Sequence, residues 1–86
     1  MSDVRLLHPV LTADILKCVE AERGRQDEKW DEQSYDFHLW LTILMEEVGE
    51  VARAVWDEHE EHAAAELIEV AAVAVAAVED FYRRTK

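Results

Sequence analysis

From Ala63 to Val78 the chain runs for 16 residues with only two polar side chains, Glu66 and Glu69. A helix that is apolar all round belongs in a protein interior. Ionised carboxylates in such surroundings are costly unless they are paired or bind a metal. Ten alanines between positions 52 and 77 favour helix strongly and let neighbouring helices approach closely. The wholly apolar part, residues 70–78, is nine residues long, short of the roughly 20 that cross a bilayer.

The rest of the chain organises around that helix. Residues 1–11 read as a lead-in, with Pro9 arguing against helix. Residues 12–86 read as a single all-α domain. A first helix is expected from about Ala13 to about Lys29, with Thr12 as N-cap. Its apolar stripe of Ile15, Leu16 and Val19 turns polar further along, through Glu22 or Arg23 to Gln26. Asp31 to Asp36 form a polar break, and Asp36 can cap a second helix running from about Phe37 to about Glu58. Residues 57–62 (Asp-Glu-His-Glu-Glu-His) read as a charged helix end and turn, and a third helix follows from about Ala63 to about Arg83. No strand is expected.

At 100° per residue, the second helix has an apolar face made by Leu41, Leu44, Val48, Val51 and Val55. Glu47 lies about 60° and Glu50 about 120° to one side of that face. They interrupt an apolar line shared with Ile43 and Ala54, whereas Glu46 falls on the polar side with Arg53 and Asp57. Glu66 and Glu69, at i and i+3, share a face of the third helix. Two helices thus each bring a Glu-x-x-Glu pair to an interior. Such a set of oxygen ligands suits a hard cation such as Mg²⁺, which keeps waters and substrate phosphates as the rest of its shell.

Composition narrows the partners. Nine Lys+Arg against 20 Asp+Glu give a formal net charge of −11, which argues against nucleic-acid or anionic-membrane binding through a broad basic face. The lone Cys18 forms no internal disulfide, and Leu6–Leu7 is too short for a signal-peptide core. The chain reads as cytoplasmic. His59 and His62 are three apart rather than four, so they are not an H-E-x-x-H zinc motif. No Glu-x-x-His occurs, which counts against the di-iron carboxylate bundles, and no Gly-rich phosphate loop is present.

Glu46-Glu47-Val-Gly-Glu50, followed by Glu66-Leu-Ile-Glu69, resembles the paired EExxE and ExxD motifs of the all-α nucleoside triphosphate pyrophosphohydrolases, the MazG-like group. The stretch from Glu22 to Trp30 and the tail Val70-Ala-Ala-Val-Ala-Val are similar to the short phage and bacterial members, so the resemblance covers about residues 20–80. It implies hydrolysis of nucleoside triphosphates between the α- and β-phosphates, to a monophosphate and pyrophosphate, with Mg²⁺ as cofactor. Residue by residue, it implies Glu47, Glu50 and Glu66 as metal ligands. Glu69 stands where the family usually has Asp, and Glu46 matches the leading Glu that orients or deprotonates water. Many members carry a further basic C-terminal helix. Phosphate contacts are here expected from Arg23, Arg25, Lys29 or Arg53, or from Arg83, Arg84 and Lys86 of another subunit.

Trp30 either stacks on a base or caps the core. Arg23 and Gln26 on the inward stripe either meet substrate or form a structural ion pair, and Lys29 joins them as a candidate substrate contact. Trp40 reads as core and Cys18 as packing. Three helices leave much apolar surface, so a four-helix-bundle-like core completed by dimerisation is expected, as a homodimer or homotetramer. The function expected is a Mg²⁺-dependent nucleotide pyrophosphohydrolase. The alternatives are a non-enzymatic helical interaction module, a nucleotide-binding relative that lost activity at Glu69, or the fold-related phosphoribosyl-ATP pyrophosphohydrolase.

Overall fold

The computed structural model describes residues 11–30 and 34–85, without the side chain of Trp30. Among these residues there are three helices and no strand: α1 (Thr12–Trp30), α2 (Phe37–Trp56) and α3 (Glu60–Arg84). The lead-in before Leu11, half of the polar break, and the readings of Trp30 and Lys86 lie outside the described side chains. No described helix is long and apolar enough to cross a membrane.

The helix ends follow local chemistry. The Ile15 N–H donates to the Leu11 carbonyl at 3.1 Å, so α1 starts at Thr12 and Thr12 is its first helical residue rather than its N-cap. Asp36 caps α2 as expected, its carboxylate accepting from the Leu39 N–H at 2.9 Å. Helix α2 ends two residues earlier than the pattern predicts. The Glu58 N–H donates to Val55 O at 3.0 Å and the His59 N–H to Ala54 O at 2.9 Å, with Glu58 left-handed at φ 61°. This is a Schellman turn, and it confines the connection to residues 57–59. The charged stretch therefore divides: Glu60, Glu61 and His62 belong to the first turn of α3, where the acidic pair suits the helix dipole.

Helix α3 lies in the middle. It packs against both α1 and α2, while α1 and α2 make no backbone-level contact with each other among the described residues. Trp40, Val73 and Ala76 form a small core, covered by Tyr35, Ile43, Leu44 and Ala77. Asp80 is fully buried within this end of the bundle. Its Oδ2 accepts from the Tyr35 N–H at 2.8 Å and the Trp40 Nε1–H at 2.7 Å. The Arg84 Nε donates to Oδ1 at 3.2 Å, and Arg83 pairs with the same oxygen at 3.5 Å. Burial alone would raise the Asp80 carboxyl, but the Trp40 and Tyr35 donors and Arg84 outweigh it and hold it below the ordinary carboxylate range.

The Trp40 bond fixes which side of α2 meets α3. The packed side is Trp40, Ile43, Leu44, Glu47, Val51 and Ala54, rotated by about 80° from the line of Val48 and Val55. The expected core positions Leu41 and Val55 are 57% and 60% exposed. Helix α3 leaves apolar surface bare, as expected of three helices from one chain. It is covered on two sides, while Leu67, Val75, Val78 and Tyr82 are exposed.

Replacing Asp80 by Asn leaves buried donors imperfectly matched. Asp80→Asn should cost about 2–4 kcal/mol at neutral pH, measured by urea unfolding. Because the folded pKa is depressed, the stabilisation is present above the unfolded pKa and fades as pH falls through the folded one. The gap between Asp80→Asn and the parent protein should therefore shrink in acid. A gap independent of pH would contradict an ionised Asp80.

Candidate metal centre

Turning α2 onto its Trp40 side brings its carboxylates toward those of α3. Glu47, Glu50, Glu66 and Glu69 each offer an oxygen, and these four atoms all lie within 4.8 Å of one another. The set combines two pairs at i, i+3, one from each helix, so each helix turn presents its pair to the facing helix. Glu66 is buried at 8% exposure, Glu47 and Glu69 are half-buried, and Glu50 is exposed. Two oxygens, Glu47 Oε2 and Glu66 Oε2, are buried with no hydrogen-bond partner.

Helix α1 contributes as well. Glu22 of α1 is buried and clamped by Arg25, whose Nε donates at 2.8 Å. It also shares a hydrogen bond with Glu69. Desolvation would raise Glu22, but the bonds from Glu69 and Arg25, with the charges of Arg25 and Lys29, bring it below its ordinary value. Glu69 moves the opposite way. Its bond to Glu22, then burial, then the charge of Glu47 push it up to about 7. Of the pair, Glu69 is therefore the one that takes up a proton more readily. Burial and the charges of Glu50 and Glu66 raise Glu47. Burial and the adjoining Glu50 raise Glu66, against the opposing influence of His62.

His62 Nε2 lies 3.6 Å from Glu66 Oε1. The reading of residues 57–62 as a turn hid this contact, since His62 faces Glu66 only once α3 is extended back to Glu60. Glu22 was legible as part of the polar stripe of α1, but only the packing of α1 on α3 places it against Glu69. Beside the cluster, a groove of about 820 Å³ is lined by Glu46, Glu47, Glu50, Arg53, His59 and His62, among others. Glu46 is exposed on this groove.

The remaining expected substrate contacts fall elsewhere. Arg23 donates to Glu79 of α3 through Nε at 3.1 Å and Nη2 at 2.7 Å. It also bonds Asp27 at 2.8 Å and Gln26 Oε1 at 3.2 Å. Desolvation lowers the guanidinium's pKa, but Glu79 and Asp27 more than restore it. Gln26 is buried, and its Nε2 has no partner. Lys29 is exposed near Glu22.

The donor set suits a hard divalent cation. It consists of carboxylate oxygens from two helices, two of them buried without partners, gathered without an equal number of cations. Comparison with protein-family models, curated proteins and solved structures gives no match to this chain.

The raised carboxyls make the metal-free protein sensitive to pH. A folded-state pKa above the unfolded one stabilises below the unfolded value, and that stabilisation is lost as pH rises through the folded value. For Glu69 the window runs from the ordinary 4.5 to about 7. The melting temperature of the metal-free protein should therefore fall as the pH rises from about 5 to about 8, and millimolar Mg²⁺ should flatten the trend. A metal-free melting temperature that climbs over this range would contradict the clustering.

Proposed function

We propose that this chain is a Mg²⁺-dependent nucleoside triphosphate pyrophosphohydrolase of the MazG-like kind, acting in the cytoplasm as a homodimer or a dimer of dimers. The observation that carries the reading is the convergence of Glu47, Glu50, Glu66 and Glu69 within 4.8 Å, with two buried carboxylate oxygens left without partners. Apolar packing alone gives no reason to bury such groups.

These four glutamates would hold the metal. When bound, Mg²⁺ supplies Lewis-acid neutralisation of the triphosphate and a lowered pKa for a water. Glu46, on the rim of the same groove, orients the attacking water and takes its proton. The water oxygen bonds to the α-phosphorus, the bond to the bridging oxygen breaks, and its electron pair leaves with pyrophosphate. Glu22 holds Glu69 in place from α1, so the longer side chain that replaces the family's Asp has a fixed partner.

Dimerisation is supported by the stripe left bare on α2 and the exposed Leu67, Val75 and Val78 of α3. These residues would bury one another across a two-fold axis and complete a four-helix core.

Glu50→Gln and Glu66→Gln should each lower Mg²⁺-dependent pyrophosphate release by about a thousandfold, the scale of losing several kcal/mol of metal stabilisation. Both should remain folded, and Glu66→Gln should melt higher than the parent protein without metal. Glu69→Asp should retain activity. Full turnover in Glu50→Gln would overturn the metal assignment, and no pyrophosphate release from any canonical or damaged nucleotide would favour a non-enzymatic module.

Light scattering should give at least twice the 10.0 kDa chain mass, and Val55→Glu should shift the protein toward monomer. A stable folded monomer at micromolar concentration would refute the assembly.

A further inference from the structure

The four glutamates meet across the helices in two separate contacts. Glu47 shares a hydrogen bond with Glu69, which in turn bonds Glu22 of α1. Glu50 shares one with Glu66. The second contact lies beside His62, which lines the groove together with Glu50 and sets its Nε2 3.6 Å from Glu66 Oε1. That separation is too long for a hydrogen bond. It does fit two ligands of one ion, because atoms bound to a common cation at about 2.1 Å stand roughly 3.0 Å apart when adjacent and roughly 4.2 Å when opposite. Glu66 is 8% exposed, and its other oxygen, Oε2, is buried without a partner. An ion pair with His62 accounts for Oε1 and leaves Oε2 unexplained. A cation held by Glu50, Glu66 and His62 accounts for both.

We propose that His62 is a nitrogen ligand of the metal centre, acting with Glu50 and Glu66, and that it biases the centre from Mg²⁺ toward a divalent transition cation, Mn²⁺ or Co²⁺. The inference rests on the metal-centre reading above and adds a ligand and a choice of metal. Carboxylate oxygens serve Mg²⁺ and Mn²⁺ alike, whereas imidazole nitrogen favours transition metals and Mg²⁺ keeps to oxygen. One nitrogen among carboxylates therefore discriminates between cations of equal charge. The placement depends on where α3 begins. His62 and Glu66 are i, i+4 on one helix, so they share a face. They do so because the Schellman turn at Glu58 lets α3 start at Glu60. A helix starting at Ala63 would leave His62 in the connection. His59 lines the same groove but precedes α3, so no helical spacing aligns it with a glutamate of the cluster. The His62 side chain is 62% exposed, which leaves this side of the centre open to solvent and to entry of the ion.

The test titrates Mg²⁺ and Co²⁺ separately into the full chain by calorimetry and records the proton NMR spectrum with Co²⁺ bound. Co²⁺ should bind more tightly than Mg²⁺. His62→Ala should weaken Co²⁺ at least about tenfold, the low end of what even an outer partner of a metal ligand contributes, and leave the affinity for Mg²⁺ unchanged. It should also remove a solvent-exchangeable imidazole N–H resonance shifted by the paramagnetic ion. His59→Ala should change neither the affinities nor that resonance. An unchanged Co²⁺ affinity in His62→Ala, or an equal loss for both cations, would overturn the ligand assignment. His62 would then be an ion-pair partner of Glu66, with the four-glutamate centre left standing. Binding of neither cation by the parent protein would overturn the metal centre and the ligand with it.

Discussion

The hydrogen bond from the Trp40 indole to Asp80, 2.7 Å long and fully buried, sets the rotation of α2 on α3. A helix can roll about its axis at small cost when its apolar surface is broad, and α2 has apolar residues on most of its circumference. A buried carboxylate cannot accept that freedom, because each lost donor leaves a charge uncompensated in a dry environment. Asp80 therefore selects one roll angle. At that angle Glu47 faces α3 and Leu41 faces away. The geometry of the glutamate cluster is thus specified some ten residues away, at the opposite end of the contact.

That specification works against local stability. The packed helices accommodate a carboxylate pair, Glu22 and Glu69, joined by a hydrogen bond, and leave two further carboxylate oxygens without partners. A chain optimised only to fold would place leucine or alanine at these positions. The tension is contained because the apolar core around Val73 and the Asp80 network lie toward the C-terminal end of α3, while the acidic cluster occupies its N-terminal half.

Much of this was legible beforehand, for identifiable reasons. Helix existence followed from alanine content and the spacing of apolar residues, and Asp36 announced the start of α2. The four glutamates were readable because two i, i+3 pairs interrupt apolar lines. Three things were not. The roll of α2 depended on Asp80, an acidic residue near a charged helix end that looks solvated in sequence. The reach of α3 back to Glu60 was hidden because a run of charges reads equally well as a turn or as a solvated first helical turn. Glu22 gained its role only through packing of α1, and the hydrophobic pattern of α1 is too weak to orient that helix.

The attachment of α1 has a consequence for the order in which the molecule loosens. With no described contact to α2, α1 is held to α3 by the buried Val19, by the hydrogen bond between Glu22 and Glu69 and by the ion pair between Arg23 and Glu79. Most of that attachment is electrostatic and partly open to solvent, so ionic strength screens it far more than it screens the core around Val73. Helix α1 is consequently the unit with the lowest free energy of local opening. Each opening separates Glu22 from Glu69, so the exchange of the α1 backbone amides with solvent is coupled to the state of the glutamate cluster.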